Sequence, residues 1–180
     1  MTPPPSYTAV SRYLHWLTAI LVIATFPVGL TMVQVGLARG TQDTLYIFHK
    51  NVGVIILLLV LARLAWRAGH PAPPLPDSVP GWQQKVAHLT HWLLYGLLIV
   101  MAVSGYTRVK AAGFPLEGLD ALGLPSLVPQ SKTLADTAQL IHWTARFALF
   151  ALILIHVGAA LFHAVVKRDG VFQRMWPRRG

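Results

Sequence analysis

The feature that most constrains this chain is an absence of charge. Between Arg12 and Arg39 there is no Asp, Glu, Lys or Arg, and about 20 mostly apolar residues suffice for a helix to cross the hydrocarbon core of a bilayer. This places a first span at about 14–36, with Pro27 as a kink that bilayers tolerate. A second span, about 45–66, carries Lys50 and Arg63 near its ends, where long basic side chains reach the interface. A third covers about 84–107 and is free of charge from Val86 to Thr107. The fourth, about 137–166, is interrupted only by Arg146. Composition agrees: 54% of the residues are hydrophobic and only 12% charged, against roughly 25% charged in soluble domains. The expected architecture is an all-α, four-helix integral membrane bundle forming one domain over residues 1–180. The first span follows a single Arg, contains His15 and lacks an A-x-A site, so it reads as a retained helix rather than a signal peptide.

The connections differ in character. Residues 37–44 form a short link, which makes the first two helices antiparallel neighbours. Residues 69–81 hold five prolines and predict a stiff, extended strap. The stretch from about 108 to 135 is the longest loop, and a loop of that length is expected to cover something.

Fifteen Lys and Arg against six Asp and Glu give a net charge of +9. These basic residues lie between apolar runs rather than on one solvated face, which argues against nucleic acid as a partner. Membrane lipid head groups, cofactor carboxylates or an anionic substrate fit better. Arg12, Arg63, Arg67, Lys85, Lys167, Arg168, Arg174, Arg178 and Arg179 fall on the side shared by both termini. Arg39, Lys50, Arg108, Lys110 and Lys132 fall on the other, with Arg146 a turn or two inside. Nine against six places both termini in the cytoplasm.

With no cysteine in the chain, thiolate metal sites and covalently attached haem are excluded. Six of the eight histidines, His15, His49, His88, His91, His142 and His156, sit at or within the spans, and ionisable residues within membrane helices are usually functional. His142 and His156 are 14 residues apart on the fourth span. They therefore differ by only about 40° around the axis and are separated by about 21 Å along it. Depth matching pairs His156 with His15 near the side of the termini, and His142 with His49 near the opposite side. Two neutral imidazoles facing each other across an iron form a low-spin b-type haem site with no free axial position. Such a site moves single electrons. His88 and His91 remain open as replacements for His15, or as partners of propionates and head groups. His163, seven residues beyond His156, is placed to meet a propionate or a quinone carbonyl, or to lie at the interface.

The segments RYLHWL, LYIFHKNVG, VAHLTHWLLYGL, IHWTARF and LIHVGAALFHAVVKRDG, with the ending RMWPRR, together resemble the bacterial cytochrome b561 family along essentially the whole chain. The resemblance implies a four-helix membrane bundle holding two non-covalent b haems, with ligands at His15, His49, His142 and His156. It further implies an oxidoreductase of the bacterial inner membrane that oxidises superoxide and passes the electrons through the haems to ubiquinone. Arg146 is not matched to the family pattern, and a propionate is the reading for it. On this reading Lys50, Arg108 and Lys110, with Arg39 and Lys132, steer superoxide to the periplasmic side, whose nearby counter-charges are Asp43, Glu117, Asp120 and Asp136. The alternative is a haem b subunit that anchors a partner dehydrogenase or hydrogenase and docks a redox protein. A histidine-based metal transporter is a third class, which a reducible b-haem spectrum would exclude.

Overall fold

The computed structural model describes residues 6–176. Arg178 and Arg179, counted above for orientation, lie outside them, as does the end of the RMWPRR segment. Four helices are long and apolar enough to cross a membrane: α1 (Ala9–Thr31), α2 (Arg39–Gly69), α3 (Gly81–Ala111) and, after a short α4 (Glu117–Ala121), α5 (Lys132–Leu161). α5 continues as a π-helical turn, Phe162–Lys167, and a 3-10 turn follows at Phe172–Arg174.

Most of these helix ends overrun the apolar stretches, because hydrogen bonding continues until a breaker or cap stops it rather than where hydrophobicity fades. The C-terminal end of α1 is an exception. α1 starts early because the Thr8 side chain accepts the Ser11 N–H at 3.2 Å. It ends at Thr31, five residues short of expectation, and the turn beyond it uses Gly36 at φ 89°. α2 stops just before Pro71 and α3 starts just after Pro80. The Ser131 side chain caps α5 by accepting the Leu134 N–H at 3.3 Å. Two sequence placements shift as a result. Arg63 sits inside α2, six residues before its last residue, and Arg146 is 14 residues into α5 rather than a turn or two inside.

The helices pack in chain order: α1 on α2, α2 on α3, and α3 most extensively on α5. Val52, Ile56, Val60 and Tyr95 form the buried centre of the α2–α3 contact, with Leu21 and Val22 of α1 against them. α1 and α5 share no comparable backbone packing. They meet through rings instead, including Phe26 stacked on Phe150 at 4.8 Å. Large apolar side chains such as Ile20, Ile23, Leu58 and Leu154 point outward, as lipid-facing surface does.

Each end of the bundle is covered. On the face opposite the termini, here the outer face, residues 112–131 fold into a cap around α4. Lys50 Nζ reaches Glu117 Oε1 at 2.6 Å and donates to the Pro115 carbonyl at 2.8 Å. Asn51 donates to Glu117 Oε2 at 2.9 Å and accepts the Gly118 N–H at 2.8 Å. Lys110 pairs with Asp120 at 2.7 Å, and Leu116 beneath the cap is 1% exposed. The long loop therefore does cover the bundle end, as its length predicts. On the face of the termini, the inner face, the irregular proline strap and the chain after α5 interlock. Trp16 Nε1 donates to the Met175 carbonyl at 2.8 Å, Tyr7 N–H to the Arg174 carbonyl at 3.3 Å, and Arg174 Nη2 to the Pro73 carbonyl at 2.5 Å.

Candidate functional site

His49 and His142 each lie ten residues into their helices, α2 and α5, and their ring centres are 6.2 Å apart at 78°. His15 of α1 and His156 of α5 are 6.3 Å apart at 73°. A metal–imidazole bond of about 2 Å on each side, plus about 1.1 Å from nitrogen to ring centre, puts two in-line rings about 6.2 Å apart. A direct N–H···N hydrogen bond of about 2.9 Å would bring them to about 5.1 Å. Both pairs have the separation of rings that flank a metal. Among the described residues no group of three or more His, Cys, Asp or Glu forms a metal cage, and two facing imidazoles are the ligand set that a porphyrin iron takes.

The surroundings fit that group. His142 Nδ1 donates to the Met101 carbonyl at 2.9 Å, with Ser104 Oγ at 3.3 Å. That bond fixes the proton on Nδ1 and leaves the Nε2 lone pair for iron. The two outer rings rest on backbone. A Cβ at Gly29 of α1 would fall 2.7 Å from His49 Cε1, and one at Gly105 of α3 would fall 3.2 Å from His142 Cε1. A Cβ built at Gly53, Gly96 or Gly158 would meet no side chain or neighbouring helix within 4 Å. Gly29 carries no sequence signal beyond its spacing on α1. Its role comes from the α1–α2 packing, which the chain order alone does not specify.

The other sequence candidates separate cleanly. His91 does come to the inner pair, with its ring 5.4 Å from that of His156. That is shorter than a metal-bridged separation, so His15 is the better-placed partner. His88 is exposed on α3 and accepts the Trp92 Nε1–H at 3.0 Å, away from the pair. His163, in the π-helical turn, bonds Asp169 Oδ2 at 2.6 Å, and both side chains are largely buried. Burial pushes the Asp169 carboxyl up, but hydrogen bonds from His163 and the Val171 N–H outweigh it, and the group sits below its usual range.

Of the outer basic residues, Lys50 and Lys110 are engaged by Glu117 and Asp120, and Lys132 by Asp136 at 2.5 Å. Arg108 is half-buried and takes part in no ion pair among the described residues. Burial raises the Glu117 carboxyl, yet hydrogen bonds from Lys50 and Asn51 bring it below the ordinary range, and the Lys110 hydrogen bond lowers Asp120. Arg146 lies over the rings of Trp143 at 4.8 Å and Phe147 at 4.6 Å, and its buried Nε has no hydrogen-bond partner. An orphaned guanidinium donor one turn from His142 suits a cofactor carboxylate.

Four membrane-spanning helices with two facing imidazole pairs at opposite ends of one helix define a membrane cytochrome b. Comparison with known proteins narrows this. Residues 6–178 match the prokaryotic cytochrome b561 family, and the chain belongs to it. Cytochrome b561 homolog 2 of Escherichia coli K12 is 30% identical over 173 residues, covering 96% of this chain and 92% of that protein. Cytochrome b561 homolog 1 of the same organism is 30% identical over 175 residues, covering 96% and 98%. The probable superoxide oxidase CybB of Yersinia pestis is 28% identical over 176 residues, covering 96% and 97%. The protein is thus an electron-transferring membrane cytochrome with two non-covalent b haems, as family membership implies.

Proposed function

We propose that this cytochrome oxidises superoxide at its outer face and delivers the electrons to ubiquinone near its inner face, in the bacterial inner membrane with both termini cytoplasmic. The observation that carries the reading is the pair of imidazole pairs on one helix, His49–His142 and His15–His156, at 6.2 and 6.3 Å. Their positions on α5, 14 residues apart, separate them by about 21 Å, most of the apolar thickness of a bilayer. Bound haem supplies one-electron Fe(III)/Fe(II) chemistry.

The residues have distinct tasks. His15, His49, His142 and His156 hold the two irons, and Arg146 takes a propionate of the outer haem. Arg108, in no ion pair among the described residues, presents an uncompensated positive charge at the outer site and attracts the anion. Lys50 and Lys110 contribute less to steering than their number suggests, because Glu117 and Asp120 neutralise them. Two superoxide ions give two electrons and become two dioxygen molecules. One ubiquinone takes those electrons with two protons and becomes ubiquinol. His163, held through Nδ1 by Asp169 at 2.6 Å, is the residue assigned to meet the quinone at the inner end. The kinship with a probable superoxide oxidase supports the choice of donor.

The test is haem quantification on the purified chain, followed by superoxide-driven reduction of a short-chain ubiquinone by that chain alone. Two haems per chain and catalysis without another protein are expected. Two haems without catalysis would refute the superoxide assignment and favour a docked redox protein as the donor.

A further inference from the structure

The inner site contains a charge, Arg63, with no carboxylate partner among the described residues. Arg63 lies inside α2, two turns from its end, half-buried among three helices. Its Nη2 is 3.2 Å from His15 Nδ1 of α1, and its guanidinium lies 5.2 Å from the centre of the Tyr95 ring of α3. Both neighbours are neutral groups. None of the four ion pairs among the described residues includes Arg63. The inner side has two carboxylates, Asp77 and Asp169. Asp77 is exposed on the proline strap, and Asp169 is taken by His163. A permanent cation withdrawn into a membrane span without a counter-charge is costly.

The contact with His15 cannot be the lasting answer. A neutral imidazole that gives its Nε2 lone pair to iron keeps its proton on Nδ1. That nitrogen is then a donor, with nothing to accept from the guanidinium. The Tyr95 side chain is a further hydrogen-bond partner but a neutral one. The charge of Arg63 still lacks a counter-ion beside His15, and its planar fork matches a carboxylate. Resting on the haem-ligand reading of His15 and His156, we propose that Arg63 binds a propionate carboxylate of the inner haem. Arg146 and Arg63 are then counterparts, each a half-buried guanidinium beside a histidine pair with no carboxylate partner among the described residues. The bound cation also favours the reduced, more negative form of the inner haem.

The experiment uses the purified holoprotein and two variants, Arg63→Gln and Arg63→Lys. Haem per chain is measured, and a redox titration followed by absorbance resolves the two haems. The inner component is identified as the one missing from His156→Ala. In Arg63→Gln the inner component should become harder to reduce by about tenfold in its one-electron equilibrium, about 59 mV, with the outer component unchanged. Arg63→Lys should restore most of the shift. If Arg63→Gln loses the inner haem, retention of that haem by Arg63→Lys supports the same assignment. Unchanged potentials, equal shifts of both components, or loss of the inner haem in both variants would overturn it. A lack of b haem in the unsubstituted protein would instead sink the ligand reading on which it rests.

Discussion

Adding one carbon at Gly29 should cost the protein its outer haem. A Cβ there falls 2.7 Å from His49 Cε1 and 3.1 Å from Nδ1, where ordinary contact begins near 3.4 Å. The ring must retreat from α1 by roughly 0.7 Å to relieve the overlap. A shift of that size is about a third of a metal–imidazole bond of about 2 Å, enough to spoil the ligand's alignment. Rigid neighbours resist the alternative, since overpacking of this kind costs about 1–3 kcal/mol. Charged against cofactor binding, that weakens affinity roughly 5- to 160-fold. In Gly29→Ala, haem per chain should fall from two towards one, and any outer haem that remains should lose its six-coordinate, low-spin spectrum. Gly40→Ala is the control, because a Cβ there meets nothing within 4 Å. A Gly29→Ala protein with two low-spin haems would refute the claim that His49 is seated against α1.

His15→Ala or His156→Ala should remove only the inner haem, and His49→Ala or His142→Ala only the outer; loss of the inner haem from His91→Ala but not from His15→Ala would reverse the pairing. Superoxide oxidation should slow as salt rises, because the Debye length shrinks from about 30 Å at 0.01 M to about 8 Å at 0.15 M. Arg108→Gln should slow the low-salt rate with both haems retained, whereas Glu117→Gln, which frees Lys50, should raise it; stopped-flow traces at two ionic strengths decide. The cap carboxyls of Glu117 and Asp120 lie below their usual ranges, so their contribution is present above the unfolded values near 4 and is lost as pH falls through the lower folded ones. Protection of the Leu116 and Gly118 amides, corrected for intrinsic exchange, should accordingly hold at pH 6 and drop towards pH 3.

The spans and the two histidine pairs were legible because both depend on periodicity along single helices. His142 and His156 share a face of α5 by arithmetic alone, and the His–His separations of 6.3 and 6.2 Å agree with the depth matching. Helix ends were less legible. Charged residues such as Arg39 and Lys132 belong to helices whose hydrogen bonding continues beyond the apolar segment. Residues whose meaning depends on a neighbouring helix were hidden. Arg63 looked like a snorkelling end residue until α2 was seen to continue to Gly69, and Lys50 looked like a free charge until the cap placed Glu117 on it. The sequence offered Glu117 only as a nearby counter-charge, since a 20-residue loop has many ways to place one carboxylate.

The interlocked inner face imposes an order of assembly. Met175 and Arg174, which accept from Trp16 and Tyr7, come after every membrane helix in the chain. The strap at Pro73, which receives the Arg174 guanidinium, is made before α3 and α5 exist. Helix pairs α1–α2 and α2–α3 join neighbours in sequence and can zip up as they enter the bilayer, but the knot at the inner face ties the beginning of the chain to its far end. It can be drawn tight only once α5 stands beside α3. The last stitch therefore reports that all four helices are in place, and the inner histidine pair, which likewise joins α1 to α5, is completed at the same stage.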